Sequence, residues 1–286
     1  MVVQMRKNGT HVPQRVILKA WLFSNPPPID RVVLLMSISR RFPFLLFVAA
    51  LLSGPFARCD HAAAKQPNIL FIYTDDQSHR TVSCYDEAFD WVQTPNIDQL
   101  AREGVRFRRA YIGAWCMPSR ATLLTGHHQH GIESMRMEGT YPGSAYDPKQ
   151  CRFWPSALRQ HGYSTAHIGK WHTGVDAGFG RDWDHQKVWN RPRHPENAPN
   201  YYDNQLISTD GGEPVMVEGY TTDNYTDWAI DFIESEARGE EKPWYLWLCY
   251  GAVHGPFTPA ARHQQDYAGI DVPVPSDVYP PRPGKP

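Results

Sequence analysis

Apolar and polar positions fall into alternating blocks along the chain from Pro67 onward. Asn68 to Thr74 is an apolar run of strand length that stops at Asp75 and Asp76, the pattern of a buried strand. Thr94 and Pro95 open a short helix, with threonine as cap and proline in the first turn. Ile97, Leu100 and Ala101 form its apolar face, and Gly104 closes it. Val105 to Tyr111 reads as a strand, and Pro118 to Leu124 as the start of a helix directly after Cys116. Phe153 to Gln160 predicts a short helix ending at Gly162, followed by a strand over Tyr163 to Gly169. Gly174 to Gly219 then loosens into glycine, proline, asparagine, histidine and tryptophan. That is too long for an ordinary connection, so an excursion rimming a site is expected. Thr222 to Ala237 is an amphipathic helix with Tyr225, Ala229, Phe232 and Ile233 on one face. Trp244 to Tyr250 is the last strand, and the proline-rich stretch from Val272 to Pro286 reads as loop.

Strands alternating with helices predict an α/β fold around a mixed, mostly parallel sheet flanked by helices. In such sheets, sites gather beyond the carboxyl ends of the strands. Asp75, Asp76, Lys170, His172 and His254 all follow expected strands, which argues for one shared site before any motif is considered.

Composition adds limits. The 286 residues suffice for one large domain with a sizeable core. A net charge of -1 with no basic stripe gives nucleic-acid binding no electrostatic support. Upstream, Arg40 and Arg41 precede an apolar run from Phe42 to Leu52, and Ala62 to Ala64 follow. That order predicts an export leader over residues 36–64 and a periplasmic or secreted destination, with an N-terminal membrane anchor as the alternative. Met36 then reads as the start, and residues 1–35 as an extension outside the fold. The five cysteines, Cys59, Cys84, Cys116, Cys151 and Cys249, lack the spacing of a disulfide framework.

The chemistry concentrates in a few places. Asp75 and Asp76 repel each other and are expensive to bury without a cation, so the pair suits Ca²⁺ or Mg²⁺; the bland alternative is a solvated turn. Cys116-x-Pro118-Ser119-Arg120 places a cysteine at a helix N-terminus beside an arginine, a setting that activates a thiolate, although an ordinary half-buried cysteine fits too. His172 and His254, taken singly, are more readily structural than catalytic. His127, His128 and His130 lack ligand-like spacing and read as the loop after the Cys116 helix. The stretch from Trp183 to Tyr202 either lines a substrate cleft or packs.

Cys116-x-Pro118-Ser119-Arg120, followed by Thr125 and Gly126, resembles the signature of the type I, formylglycine-dependent sulfatases. Pro67 to Gln77 is similar to that family's opening strand and metal pair, and Thr94 to Phe107 to its next stretch. Gly169-Lys170-Trp171-His172 resembles its Lys-x-His element, and Val253-His254-x-Pro256-Phe257 its His-x-Pro element. The likeness runs in order from Pro67 to Phe257 and identifies residues 65–286 as the N-terminal part of an alkaline-phosphatase-like catalytic domain.

The resemblance implies hydrolysis of a sulfate ester, with a carbohydrate sulfate as the expected substrate. It implies that a formylglycine-generating or sulfatase-maturating enzyme oxidises Cys116 to Cα-formylglycine. The hydrated aldehyde attacks sulfur, and its second hydroxyl allows sulfate to be expelled afterwards. Asp75, Asp76 and residue 116 are then metal ligands, for Ca²⁺ or alternatively Mg²⁺. Arg120 and Lys170 offset charge, His172 takes a proton, and His254 is an acid for the leaving alcohol or a sulfate ligand. The family's later metal ligands and a second lysine have no counterpart before Pro286, so a truncated and inactive chain is expected. A phosphonate or phosphate monoester hydrolase on the same fold, an inactive binding homologue and a cysteine hydrolase are the competing readings.

Overall fold

The computed structural model describes residues 2–3, 66–131, 152–235 and 242–273. The leader expected over 36–64, Cys59, Cys151 and most of the proline-rich tail lie outside these residues. By contacts the chain divides into Met1–Arg6 with Pro67–Pro286, and Lys7–Gln66; the first unit carries the fold described below.

Its centre is a seven-stranded sheet in the order β1-β2-β7-β3-β4-β5-β6. The strands are β1 (Val2–Val3), β2 (Ile69–Tyr73), β3 (Ser164–Trp171), β4 (His185–Asn190), β5 (Gln205–Thr209), β6 (Val215–Val217) and β7 (Trp244–Cys249). β2, β7, β3 and β4 run parallel, while β1, β5 and β6 add antiparallel edges. The helices are α1 (Pro95–Glu103), α2 (Cys116–Thr125), α3 (Pro155–Gln160) and α4 (Thr221–Glu234).

β7 explains the layering. Every side chain of this strand is buried, because both faces of a central parallel strand are covered. Trp244, Leu246 and Leu248 join a core with Tyr225, Ala229 and Phe232 of α4. Tyr245, Trp247 and Cys249 join the opposite core with Leu124 of α2, Phe153, Trp171 and Trp183. The apolar face expected for α4 is thus the face that packs.

Register decides where the site lies. Cys249 pairs with Tyr73 on one side and with Gly169 on the other, so β2, β7 and β3 reach the same level. Gly169 has φ 106°, and a Cβ there would collide with the Cys249 carbonyl, so glycine alone allows this approach.

Four expectations change. Val2 and Val3, within the stretch expected to lie outside the fold, pair antiparallel with Phe71 and Leu70 as the edge strand β1. Val105 to Tyr111 forms no strand: Val105, Phe107 and Tyr111 are exposed. Its intervening arginines turn to local partners instead, Arg106 and Arg108 to Asp86, while the Phe107 carbonyl accepts from the Tyr85 hydroxyl. β3 runs past Gly169 to Trp171, so Lys170 lies within the strand and only His172 follows it. The region 174–219 is not an irregular excursion but holds β4, β5 and β6. Those strands are specified by ladder pairing, β4 onto β3, β5 onto β4 and β6 onto β5, rather than by an apolar run, since β4 begins His185, Gln186, Lys187.

Inside the second core, His167 is fully buried, with its ring stacked 4.9 Å from Trp247 and close to Trp171 and Trp183. Burial, helped by the Arg120 charge, pushes its pKa down to about 3. The unfolded chain therefore binds a proton here that the folded chain refuses between roughly pH 6.5 and pH 3. Stability is full above the unfolded value and falls as pH drops through that window. Urea melts at pH 7.5 and pH 5 should show the loss, and His167→Phe should flatten the slope.

Candidate active site

The aligned ends of β2, β7 and β3 bring the expected residues together. Asp76 takes a left-handed backbone (φ 58°), a turn that leaves Asp75 buried and Asp76 exposed. The Asp75 amide donates to the Ala252 carbonyl at 2.9 Å, and the Val253 amide to the Asp75 carbonyl at 2.7 Å. The β2 exit and the segment leading to His254 are thereby tied. Cys116 is the first residue of α2, and Arg120 sits one turn further along the same helix face.

Asp75 is the electrostatic anchor. One of its carboxylate oxygens accepts from the Lys170 ammonium and lies 3.6 Å from Arg120 Nη2, all three side chains being buried. Arg120 Nη1 also donates to the Lys170 carbonyl at 3.0 Å, and its guanidinium packs over the Tyr73 ring. Burial opposes the Arg120 charge, but Cys249 and Asp75 facing it push its pKa up. Lys170 is drawn down to about 8 by burial and by Arg120, with Asp75 resisting, so its ammonium persists at neutral pH.

His172 Nδ1 lies 3.3 Å from the Cys116 sulfur and 3.5 Å from Arg191 Nη1. A guanidinium can only donate, so Nδ1 is the acceptor and the neutral ring carries its proton on Nε2. Burial and then the Lys170, Arg191 and Arg120 charges lower the His172 pKa to about 2. The ring is a neutral base at physiological pH, held beside the γ atom of residue 116. His254 Nε2 is 3.7 Å from Asp76, and its ring stacks on Tyr201 at 4.0 Å.

Tyr201 and Arg191 were not singled out by sequence reasoning. Tyr201 is buried, meets the Lys170 ammonium through its hydroxyl at 3.2 Å, and shares its ring between His254 and Arg191. Both belong to the region taken as an excursion. The usable signal was the same as for His172: Arg191 directly follows a strand, and Asn190 pairs with Trp171. His127, His128 and His130 are exposed and join none of these contacts; His128 and His130 stack on each other.

The cation expected on Asp75, Asp76 and Cys116 fits only in part. Among the described residues no group of three or more His, Cys, Asp or Glu side chains is placed to hold a metal. The carboxylates offer hard oxygens, but the close polar neighbour of Cys116 is His172, and Asp75 is met by Lys170 and Arg120. The described residues are at most part of a donor set for an ion that takes about six oxygens.

The family described as Sulfatase matches residues 67–278. The chain belongs to the sulfatase family. N-acetylglucosamine-6-O-sulfatase of Bacteroides thetaiotaomicron is 34% identical over 238 residues, covering 82% of this chain and 39% of that protein. Human arylsulfatase D is 38% identical over 157 residues, covering 51% of this chain and 25% of that protein. A solved structure in complex with its substrate D-glucosamine-2-N,6-O-disulfate superposes with a TM-score of 0.61 at 32% identity, over 75% of this chain and 40% of that one. The mixed, largely parallel sheet is thus the alkaline-phosphatase-like sheet of the sulfatases. The chain spans about two fifths of the length of the leading curated relative.

Proposed function

We propose that the protein of which this chain forms the catalytic-residue-bearing part hydrolyses sulfate esters of carbohydrates. The observation that carries the reading is the placement of His172 Nδ1 at 3.3 Å from the Cys116 sulfur, inside a ring of cations and within a sulfatase chain. The names of two relatives, an N-acetylglucosamine-6-O-sulfatase and an N-acetylgalactosamine-6-sulfatase, support a sulfated amino sugar as the substrate class.

Residue 116, oxidised by a maturating enzyme to a hydrated formylglycine, supplies an oxygen nucleophile and a second hydroxyl for expelling sulfate. His172 Nδ1 accepts and returns the proton at that position, and its neutral state at pH 7 keeps the lone pair available. Lys170 and Arg120 place fixed positive charge where the sulfate oxygens gather negative charge. An arriving sulfate group offsets the cations that depress His172, so substrate binding itself strengthens the base. His254, on the neighbouring strand exit, is the donor to the departing alcohol. Asp75 and Asp76 would serve as two ligands of a divalent cation, Ca²⁺ or Mg²⁺, completed from outside the described residues. The leader pattern over 36–64 supports export to the periplasm or beyond.

Competing p-nitrophenyl sulfate, phosphate and phenylphosphonate esters on the full-length protein, matured in a host that oxidises the cysteine, test the reaction class. Preference for sulfate by about 100-fold or more in kcat/KM is expected. Preference for a phosphonate or phosphate ester would contradict the reading.

A further inference from the structure

The basic groups of the site are not alike. Lys170 and Arg120 both face Asp75, and His254 faces Asp76. Arg191 forms no ion pair with a described residue, although it stands beside the proposed base. It is nevertheless held firmly. Its Nε donates to the Ala198 carbonyl at 3.1 Å, and its guanidinium lies 5.3 Å from the Trp189 ring centre and 4.8 Å from that of Tyr201. Trp189 and Tyr201 are themselves buried and packed edge to face, so the platform under the guanidinium is rigid. Nη1 reaches His172 Nδ1 only at 3.5 Å, and no described residue accepts from Nη2.

A guanidinium kept at half burial without a carboxylate, and fixed by aromatic faces, is a built anion contact. We propose that Arg191 is a substrate-binding residue that takes a non-bridging sulfate oxygen at the His172 side of the reacting group, opposite the pair formed by Lys170 and Arg120. Ladder pairing supports the placement. Trp171 pairs with Asn190, so the residues after them, His172 and Arg191, leave adjacent strands at the same level. Arg191 thus selects esters with a compact anionic group and leaves the His172 lone pair aimed at residue 116. This inference rests on the sulfate-ester reading for its substrate.

The test is calorimetric titration of the full-length protein with inorganic sulfate, together with steady-state kinetics on p-nitrophenyl sulfate, for Arg191→Gln and Arg191→Lys. Arg191→Gln should raise the sulfate Kd and the KM about tenfold with kcat within about threefold, and lysine should recover part of the loss because it restores charge without the fork. Equal melting temperatures for wild type and Arg191→Lys keep the comparison sound should the glutamine variant fold poorly. A sulfate Kd within about twofold of wild type in Arg191→Lys and in folded Arg191→Gln would overturn the proposal. Sulfate binding weakened by the substitutions in a protein that hydrolyses no sulfate ester would sustain Arg191 as an anion contact while refuting the reaction. A KM and a sulfate Kd both unchanged by either substitution, with sulfate esters still hydrolysed, would refute Arg191 alone.

Discussion

Cys116→Ala is expected to lower kcat on a sulfate ester by about 10⁴-fold or more, because nucleophile removal leaves only binding and fixed charge. The melting temperature should change little, since Cys116 is only partly buried and its close polar contact is the single approach to His172. Cys116→Ser separates two roles of the residue. Serine keeps an oxygen but has no second hydroxyl, so it should give at most one stoichiometric burst and no steady turnover. A rate in either variant within about tenfold of wild type, measured on the matured full-length protein, would remove residue 116 from the reaction.

Lys170→Met tests the electrostatic anchor and carries the largest expected stability effect. The substitution leaves Asp75 buried with Arg120 at 3.6 Å as its remaining charged partner, and deletes the contact with the Tyr201 hydroxyl. Breaking a buried pair from one side costs up to about 3–5 kcal/mol, and Asp75 keeps only the longer Arg120 contact to offset its burial. Urea denaturation should show a loss of that order. Adding Asp75→Asn should restore none of the stability, since Arg120 then stays buried without its carboxylate partner, and activity should stay absent because the Lys170 charge is gone. A single substitution as mild as a surface lysine change, within about 0.5 kcal/mol, would show that Asp75 and Lys170 do not form the buried pair described here.

Much of this arrangement was legible before any coordinates. β2 and β7 are unbroken apolar runs, β7 with both faces covered and β2 half-buried beside it, and their ends are marked by Asp75 and by the turn toward His254. The helix after Cys116 was readable from Pro118 and from Gly126, which caps it in a left-handed conformation at φ 72°. Cys116, Arg120, Lys170, His172, Asp75, Asp76 and His254 were all nominated, and the level ends of three parallel strands bring them together. Arg191 and Tyr201 were missed for a physical reason. β4 and β5 carry polar residues such as Gln186, Lys187 and Gln205, so pairing with neighbours, not side-chain pattern, makes them strands. Val105 to Tyr111 shows the reverse error: alternating apolar and arginine positions imitate a strand, but the segment pairs with none among the described residues and its arginines go to Asp86. The partial metal set has a similar cause. Two adjacent carboxylates announce a need for positive charge; among the described residues Lys170 and Arg120 supply it at Asp75, while Asp76 meets His254 Nε2 at 3.7 Å.

The claim everything else depends on is that residue 116 works as an aldehyde made from cysteine. Mass spectrometry of the tryptic peptide containing residue 116, from the full-length protein purified out of its own host, measures this directly. The account predicts a peptide about 18 Da lighter than the cysteine form, with a hydrated companion at the unshifted mass that does not react with a thiol reagent. An unmodified thiol throughout an actively sulfate-hydrolysing preparation would contradict it.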